Sequence, residues 1–347
     1  MTGFFQKTSR RYVLNAVTAL ALYLLIMALI EYRVLNRFQA QLLIIIGFNI
    51  ILAVSLNLTA GFLGQLPLGH AGFMAVGAYT AALFTINMAS AIPQINVRLP
   101  LGLLAGGLMA ASFGVVIGLP ALRLRGDYLA IITLGFGEII RVVILNLKIT
   151  GGAVGLRGMG NRVVSFTITY VAVLVTLFVI GALIKSRHGR AILSIREDEI
   201  AAEASGIPTT YYKVLAFAVS AGFAGVAGGI YAHQLGILTP AEFGFIRSAE
   251  ILVIVVLGGL GSIFGSVLSA TILTILPELL RGFADYRMIV YSLLLVTVMI
   301  FKPSGLCGRY DFSLGGEIDN FFARIRAMLL RKPQKNQKEG GSNDAHS

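Results

Sequence analysis

Runs of about 18 or more apolar residues recur along this chain, separated by short segments that carry most of its charge. Each run is long enough to cross a hydrocarbon core of about 30 Å as a helix, whereas strands of a membrane barrel alternate apolar and polar residues in segments of about ten. Because lipid offers no hydrogen-bond partners, the backbone must satisfy itself, and uninterrupted apolar runs do so as helices. The candidate spans are 13 to 30, 41 to 58, 66 to 88, 99 to 122, 128 to 148, 163 to 184, 213 to 233, 249 to 260, 262 to 281 and 285 to 301. They predict an all-α polytopic membrane protein of about ten transmembrane helices, some short or broken. The span region 13–301 is flanked by an N-terminal tail, 1–12, and a C-terminal tail, 302–347.

Composition agrees with that class: 56% of the 347 residues are hydrophobic and 13% are charged, against about 25% charged in a soluble domain. The net charge of +12 raises nucleic acid as a partner. However, the basic residues lie in short loops and a tail between spans, as the positive-inside rule places them, so the lipid bilayer is the partner they indicate and no nucleic acid is expected. With the N-terminus cytoplasmic, inner loops and tails hold about 18 of the 28 Lys and Arg residues and outer loops about nine. Both termini and the longest loop, 185–212, then face the cytoplasm. Cys307 alone makes no internal disulfide, and no Cys and His cluster has metal-ligand spacing, so neither a metal nor a cofactor bound by this chain is expected. Near the N-terminus, Lys7, Arg10 and Arg11 precede an apolar run without a small-residue cleavage site, which reads as an uncleaved anchor. The tail segment FFARIRAMLLRK mixes apolar and basic residues as an interfacial helix does, and the last fifteen residues read as disordered.

The 40 glycines concentrate in the spans, where small residues let helix backbones approach closely. Two clusters go further. GFLGQLPLGH, containing Gly61, Gly64, Gln65, Gly69 and His70, and GGLGS, containing Gly258, Gly259 and Gly261, interrupt helices at span boundaries. A matched pair of interrupted segments in two parts of a transporter points to its translocation route, because broken helices expose backbone groups that only buried or wet surroundings tolerate. For His70, the alternatives are a buried, hydrogen-bonded histidine and a ligand or proton relay.

The segment GRAILSIREDEIAAEASGIP, residues 189–208, places Glu197, Asp198, Glu199 and Glu203, four of the 16 acidic residues, in one stretch. Gly189 to Gly206 is long enough for about four helical turns, and Gly206 with Pro208 supplies a stop. Glu199 and Glu203 stack at i, i+4 beside isoleucines. Such a mix suits an element inserted into a partner's groove; the alternative is a solvated linker helix.

This segment closely resembles the cytoplasmic loop of LivM-type permeases, the membrane subunits of branched-chain amino acid ABC importers. NLTAGFLGQLPLGHAGFMAVGAYTAAL, LRLRGDYLAIITLGFGEIIR with TGGAVGL after it, FGFIRSAEILVIVVLGGLGSIFG and MIFKPSGLCG resemble the same family in the same order, over about residues 40 to 308. Pro67 departs from the serine usual there. The resemblance implies the ABC importer permease architecture in a prokaryotic inner membrane, a second non-identical permease subunit of LivH type, two ATPase subunits that carry ATP and Mg, and an external substrate-binding protein. It also implies that the charged loop is a coupling helix, with Ala201, Ala202 and Gly206 permitting close approach and Arg196, Glu197, Asp198, Glu199 and Glu203 offering polar contacts. No G-x-x-x-x-G-K-[ST] occurs, so ATP hydrolysis belongs to another chain and this one is not an enzyme.

Glu138 and Arg141 lie three apart within a span, on one helix face. They read as an interhelical polar clamp or, alternatively, as substrate contacts. Asp127 reads as a helix N-cap. Two other function classes compete. A secondary transporter requires intramembrane carboxylates, for which Glu138 is the candidate. A membrane enzyme requires a nucleophile and base or metal ligands, which the polar residues do not supply.

Overall fold

The computed structural model describes residues 2–32, 34–124, 126–159 and 164–280, with positions 292, 293, 296, 297, 300–302, 305 and 306. The predicted span 285–301 and the tail 302–347, including the interfacial helix and Cys307, lie wholly or mostly outside them.

Eleven α-helices occur among the described residues: α1 Thr2–Glu31, α2 Arg37–Asn57, α3 His70–Asn87, α4 Ile95–Ala121, α5 Asp127–Asn146, α6 Phe166–Lys185, α7 Arg187–Glu197, α8 Glu199–Ala204, α9 Thr209–Leu235, α10 Phe245–Gly258 and α11 Ile263–Leu279. Each of the first nine predicted spans falls on a helix. Among the described residues, five stretches are long and apolar enough to cross a membrane by themselves: Arg37–Phe62, α4, α5, α6 and α9. α10, with 14 residues, and α11, with 17, are shorter. At 1.5 Å per residue they reach about 21 and 26 Å, less than a full hydrocarbon core. α1 belongs mostly to a separate unit, residues up to Ala28, and stands here as a helix by itself.

Within the unit from Leu29 onward, α2 is the axis. Every residue from Ile46 to Asn57 is buried, because α6, α9, α10 and α11 all pack on it. α6 shows how a lipid-facing helix inverts the soluble pattern. Its buried stripe, Thr169, Val173, Thr176 and Ile180, includes two threonines, while Val171, Val175, Phe178 and Val179 are exposed. Hydrocarbon outside removes the drive to hide apolar groups, so close packing and polar residues select the inner face.

α3, α4 and α9 pack as a trio held by glycines. A Cβ built on Gly77 of α3 lies 2.1 Å from the Cα of Gly225 on α9, and one on Gly106 of α4 lies 2.6 Å from the Gly77 carbonyl oxygen. The three backbones therefore touch, which only residues without side chains allow. α10 and α11 form an antiparallel hairpin. Gly258 and Gly265 meet backbone to backbone, and one turn further the Ser269 hydroxyl donates to the Ile254 carbonyl at 2.6 Å. At the opposite end of the bundle, the loop after α5 and the loop after α9 join through paired Leu156 and Leu238 backbone bonds, 2.9 and 3.0 Å.

Candidate functional site

Asn57 ends α2, and the chain then widens into a π-helical turn, Leu58–Phe62. Leu63 N–H bonds the Leu58 carbonyl at 3.1 Å and Gln65 N–H the Thr59 carbonyl at 2.9 Å, so the ordinary i to i−4 ladder is skipped and the Gly61 carbonyl is released from it. The chain reverses at Gly64, φ +77°, where a side chain is strained. Across from it, the α10–α11 turn passes through Gly259 to Gly261, with φ +86° at Gly261.

The two glycine clusters, about 200 positions apart in sequence, form one junction. A Cβ on Gly61 falls 2.2 Å from the Gly261 nitrogen. The Asn57 carboxamide stitches the junction together: its Nδ2 donates to the Ser262 carbonyl and the Ser266 hydroxyl, both at 2.8 Å, and its Oδ1 accepts from Gly261 N–H at 2.8 Å. Leu306 N–H adds a bond to the Leu257 carbonyl at 2.8 Å, and Gly305 packs on Gly259, so these two residues close the same turn.

Arg196 of α7 enters this junction. Its Nη1 donates to the freed Gly61 carbonyl at 2.8 Å. Its Cγ sits 3.0 Å from a Cβ built on Gly64, and its Nη1 sits 3.1 Å from one built on Gly261. The guanidinium stem thus lies between two glycines that leave room for it, and a charge-assisted bond caps a broken helix end.

The charged loop departs from the predicted single helix. It comprises α7 and α8, broken at Asp198, whose extended backbone (φ −157°, ψ 111°) interrupts the ladder. The cause is local: the Asp198 carboxylate accepts from Ile200 N–H at 2.9 Å and Ala201 N–H at 3.0 Å, starting a new helix. The residues expected to offer polar contacts outward are therefore divided. Arg196 turns into the junction, Asp198 caps α8, and Glu199 pairs at 2.7 Å with the buried ammonium of Lys213 on α9. Ala202 is buried, whereas Glu197, Ile200, Ala201 and Glu203 remain exposed together. Gly206 follows α8 with φ +80° and no neighbour within 4 Å of an added Cβ.

The other predicted positions lie elsewhere. Gly69 and His70 start α3 away from the junction. A Cβ on Gly69 would strike the Thr133 carbonyl of α5 at 2.0 Å, and the buried His70 ring lies 3.1 Å from the Ser55 hydroxyl, the packed and hydrogen-bonded arrangement among its alternatives. Gln65 flanks the break, and its Oε1 is buried without a hydrogen-bond partner among the described residues. Gly258 serves the α10–α11 contact. Glu138 and Arg141 bond at 2.6 Å, and the second Glu138 oxygen accepts Phe245 N–H at 3.1 Å. The carboxylate therefore holds the positive N-terminal end of α10 against α5, an interhelical clamp. α5 begins at Asp127 with Gly126 as its cap residue, one position before the predicted cap.

Sequence reasoning missed Asn57 and Lys213. The first was legible as a polar residue closing an apolar run beside a glycine cluster. The second gave no signal, because lysine at a span boundary is ordinary.

The family model described as branched-chain amino acid transport system / permease component matches residues 38–301. The high-affinity branched-chain amino acid transport system permease protein LivM of Escherichia coli K12 is 38% identical over 321 residues, covering 82% of this chain and 73% of that protein. BraD of Pseudomonas aeruginosa, described as a permease protein of the same kind of system, is 25% identical, covering 75% and 91% respectively. The permease protein LivH of Escherichia coli K12 is 32% identical over 151 residues, 43% of this chain and 47% of that protein. The matched region takes in α2 from Phe38 to the end of α11, both glycine clusters and the charged loop, and on that ground the chain belongs to the family of permease components of branched-chain amino acid transport systems.

Proposed function

We propose that this chain is one of two non-identical permease subunits of an ATP-driven importer for branched-chain amino acids, in a prokaryotic inner membrane with both termini cytoplasmic. A LivH-type subunit forms the other half of the pathway, separate ATPase subunits bind and hydrolyse ATP with Mg, and an external binding protein delivers the amino acid. The contact that carries the reading is Arg196 to Gly61: it links the charged loop to the broken ends of α2 and the α10–α11 hairpin, so displacement of the loop acts on both. The exposed face of Glu197, Ile200, Ala201, Glu203 and Gly206 is the docking surface for the ATPase, Asp198 starts the helix that presents it, and Arg196, Glu199 and Ala202 hold that surface to the spans. A self-sufficient secondary transporter is disfavoured by the match to a permease component, one part of a transport system.

Docking and transmission separate experimentally in reconstituted vesicles. Glu203→Arg reverses the charge on the outer face and is expected to lower ATPase co-purification at least tenfold. Arg196→Met removes the tie without touching that face; the ATPase is expected to stay bound while uptake of leucine falls about tenfold. Normal uptake by both variants would return the loop to a solvated linker.

A further inference from the structure

α2 with its π-helical extension runs Arg37–Phe62, 26 residues, and Asn49 lies about 18 Å along it, near the middle of the hydrocarbon depth. The Asn49 carboxamide accepts from Arg247 Nη2 at 3.3 Å and donates to the Thr274 hydroxyl at 3.0 Å. Arg247 of α10 is therefore a mid-membrane cation. Its guanidinium carbon stands 5.8 Å from the Phe48 ring centre and 5.6 Å from that of Tyr231, and these two rings pack edge to face. Its Nη1 bonds Glu250 at 2.9 Å, one turn along the same helix. The Arg247 side chain is 21% exposed and that of Glu250 is 55% exposed, and Arg247 Nε is buried without a hydrogen-bond partner among the described residues.

An ion pair half open at this depth does not face hydrocarbon; intramembrane charges of this kind face a wet pathway or another protein surface. The arrangement is asymmetric. Arg247 is fixed by two aromatic faces and an amide, with guanidinium N–H groups beyond the two that bond Glu250 and Asn49. Glu250 is held by Arg247 alone among the bonds described and projects outward. We propose that Arg247 and Glu250 form a station for a zwitterionic α-amino acid on the translocation path: the solute's carboxylate takes the guanidinium, its ammonium takes the released Glu250, and the pair closes again when the solute leaves. No net charge is left in the membrane at any step. The station reads the charges common to all α-amino acids rather than the side chain. It rests on the substrate class proposed above.

The test uses the importer purified with its partner subunits in vesicles, with radiolabelled leucine. Arg247→Gln, Glu250→Gln and the double variant are each expected to lower initial uptake at least tenfold, whereas a pair that only holds helices together predicts recovery in the double variant, because no charge is left unpartnered. Uptake by the double variant within twofold of wild type overturns the station. Independently, Glu250→Cys in a Cys307→Ser background is expected to react with a hydrophilic methanethiosulfonate; an inert thiol overturns the station even if the double variant fails to assemble. Wild-type uptake of leucine separates the two readings: its absence overturns the assigned substrate and this station with it, whereas its presence alongside an unaffected double variant overturns the station alone.

Discussion

Gly77, Gly106 and Gly225 occupy the point where α3, α4 and α9 cross, and the obstacle to any side chain there is backbone, which cannot rotate away. Gly181 in α6 is also mid-helix, yet an added methyl meets nothing within 4 Å. The sequence shows both as glycine in an apolar run; the neighbouring helix decides what each does. Gly77→Val is expected to destabilise by about 3 kcal/mol or more, at or beyond the upper end of overpacking costs. Gly181→Ala is expected to be neutral or to stabilise by up to about 1 kcal/mol, since alanine suits a helix interior better than glycine. Thermal unfolding of the purified complex in detergent checks the contrast, and equal effects would contradict the crossing.

At the scale of elements, the charged loop is a rigid connector rather than a strap. Asp198 breaks α7 from α8, Arg196 fixes α7 to the junction, and Glu199 fixes α8 to α9 through Lys213. The acids of α8 therefore have opposite expected phenotypes. Glu199→Gln leaves a buried ammonium without its partner and is expected to destabilise by up to about 3 kcal/mol, toward the lower end for a buried pair because Glu199 keeps one-fifth of its exposure. Glu203→Gln removes an exposed carboxylate and should leave thermal stability unchanged while weakening ATPase association. Unfolding and co-purification, measured on the same two preparations, check the split. Both acids follow the turn at Asp198 on α8; Glu199 reaches Lys213 of α9, whereas Glu203, four residues on, stays exposed.

For the molecule as a whole, the proposed orientation puts the junction and charged loop at the cytoplasmic end and the Leu156–Leu238 pairing at the outer end. Val154, 72% exposed beside that pairing, and Glu197 on the loop then lie on opposite sides of the membrane. In a Cys307→Ser background, Val154→Cys is expected to react with an impermeant thiol reagent added to intact cells, and Glu197→Cys only after permeabilisation; the reverse pattern would invert the topology. The short α10–α11 hairpin, packed on α2 near the middle of the unit, is also what places Arg247 at depth.

The sequence by itself determined the helical membrane class, the positions of the first nine predicted helices, the two helix breaks and the charged segment between α6 and α9. These are local properties: run length against bilayer thickness, glycine and proline in the ladder, and charge that lipid excludes. Even the likeness of GFLGQ to GGLGS was visible there. Only the tertiary structure decided that the two clusters touch, that Asn57 joins them and that Arg196 reaches between them, because those contacts span from 135 to 209 positions of chain. It also decided which acid of the loop is engaged, since the extended Asp198 starts α8 anew and the partner that Glu199 finds, Lys213, lies on α9 outside the loop.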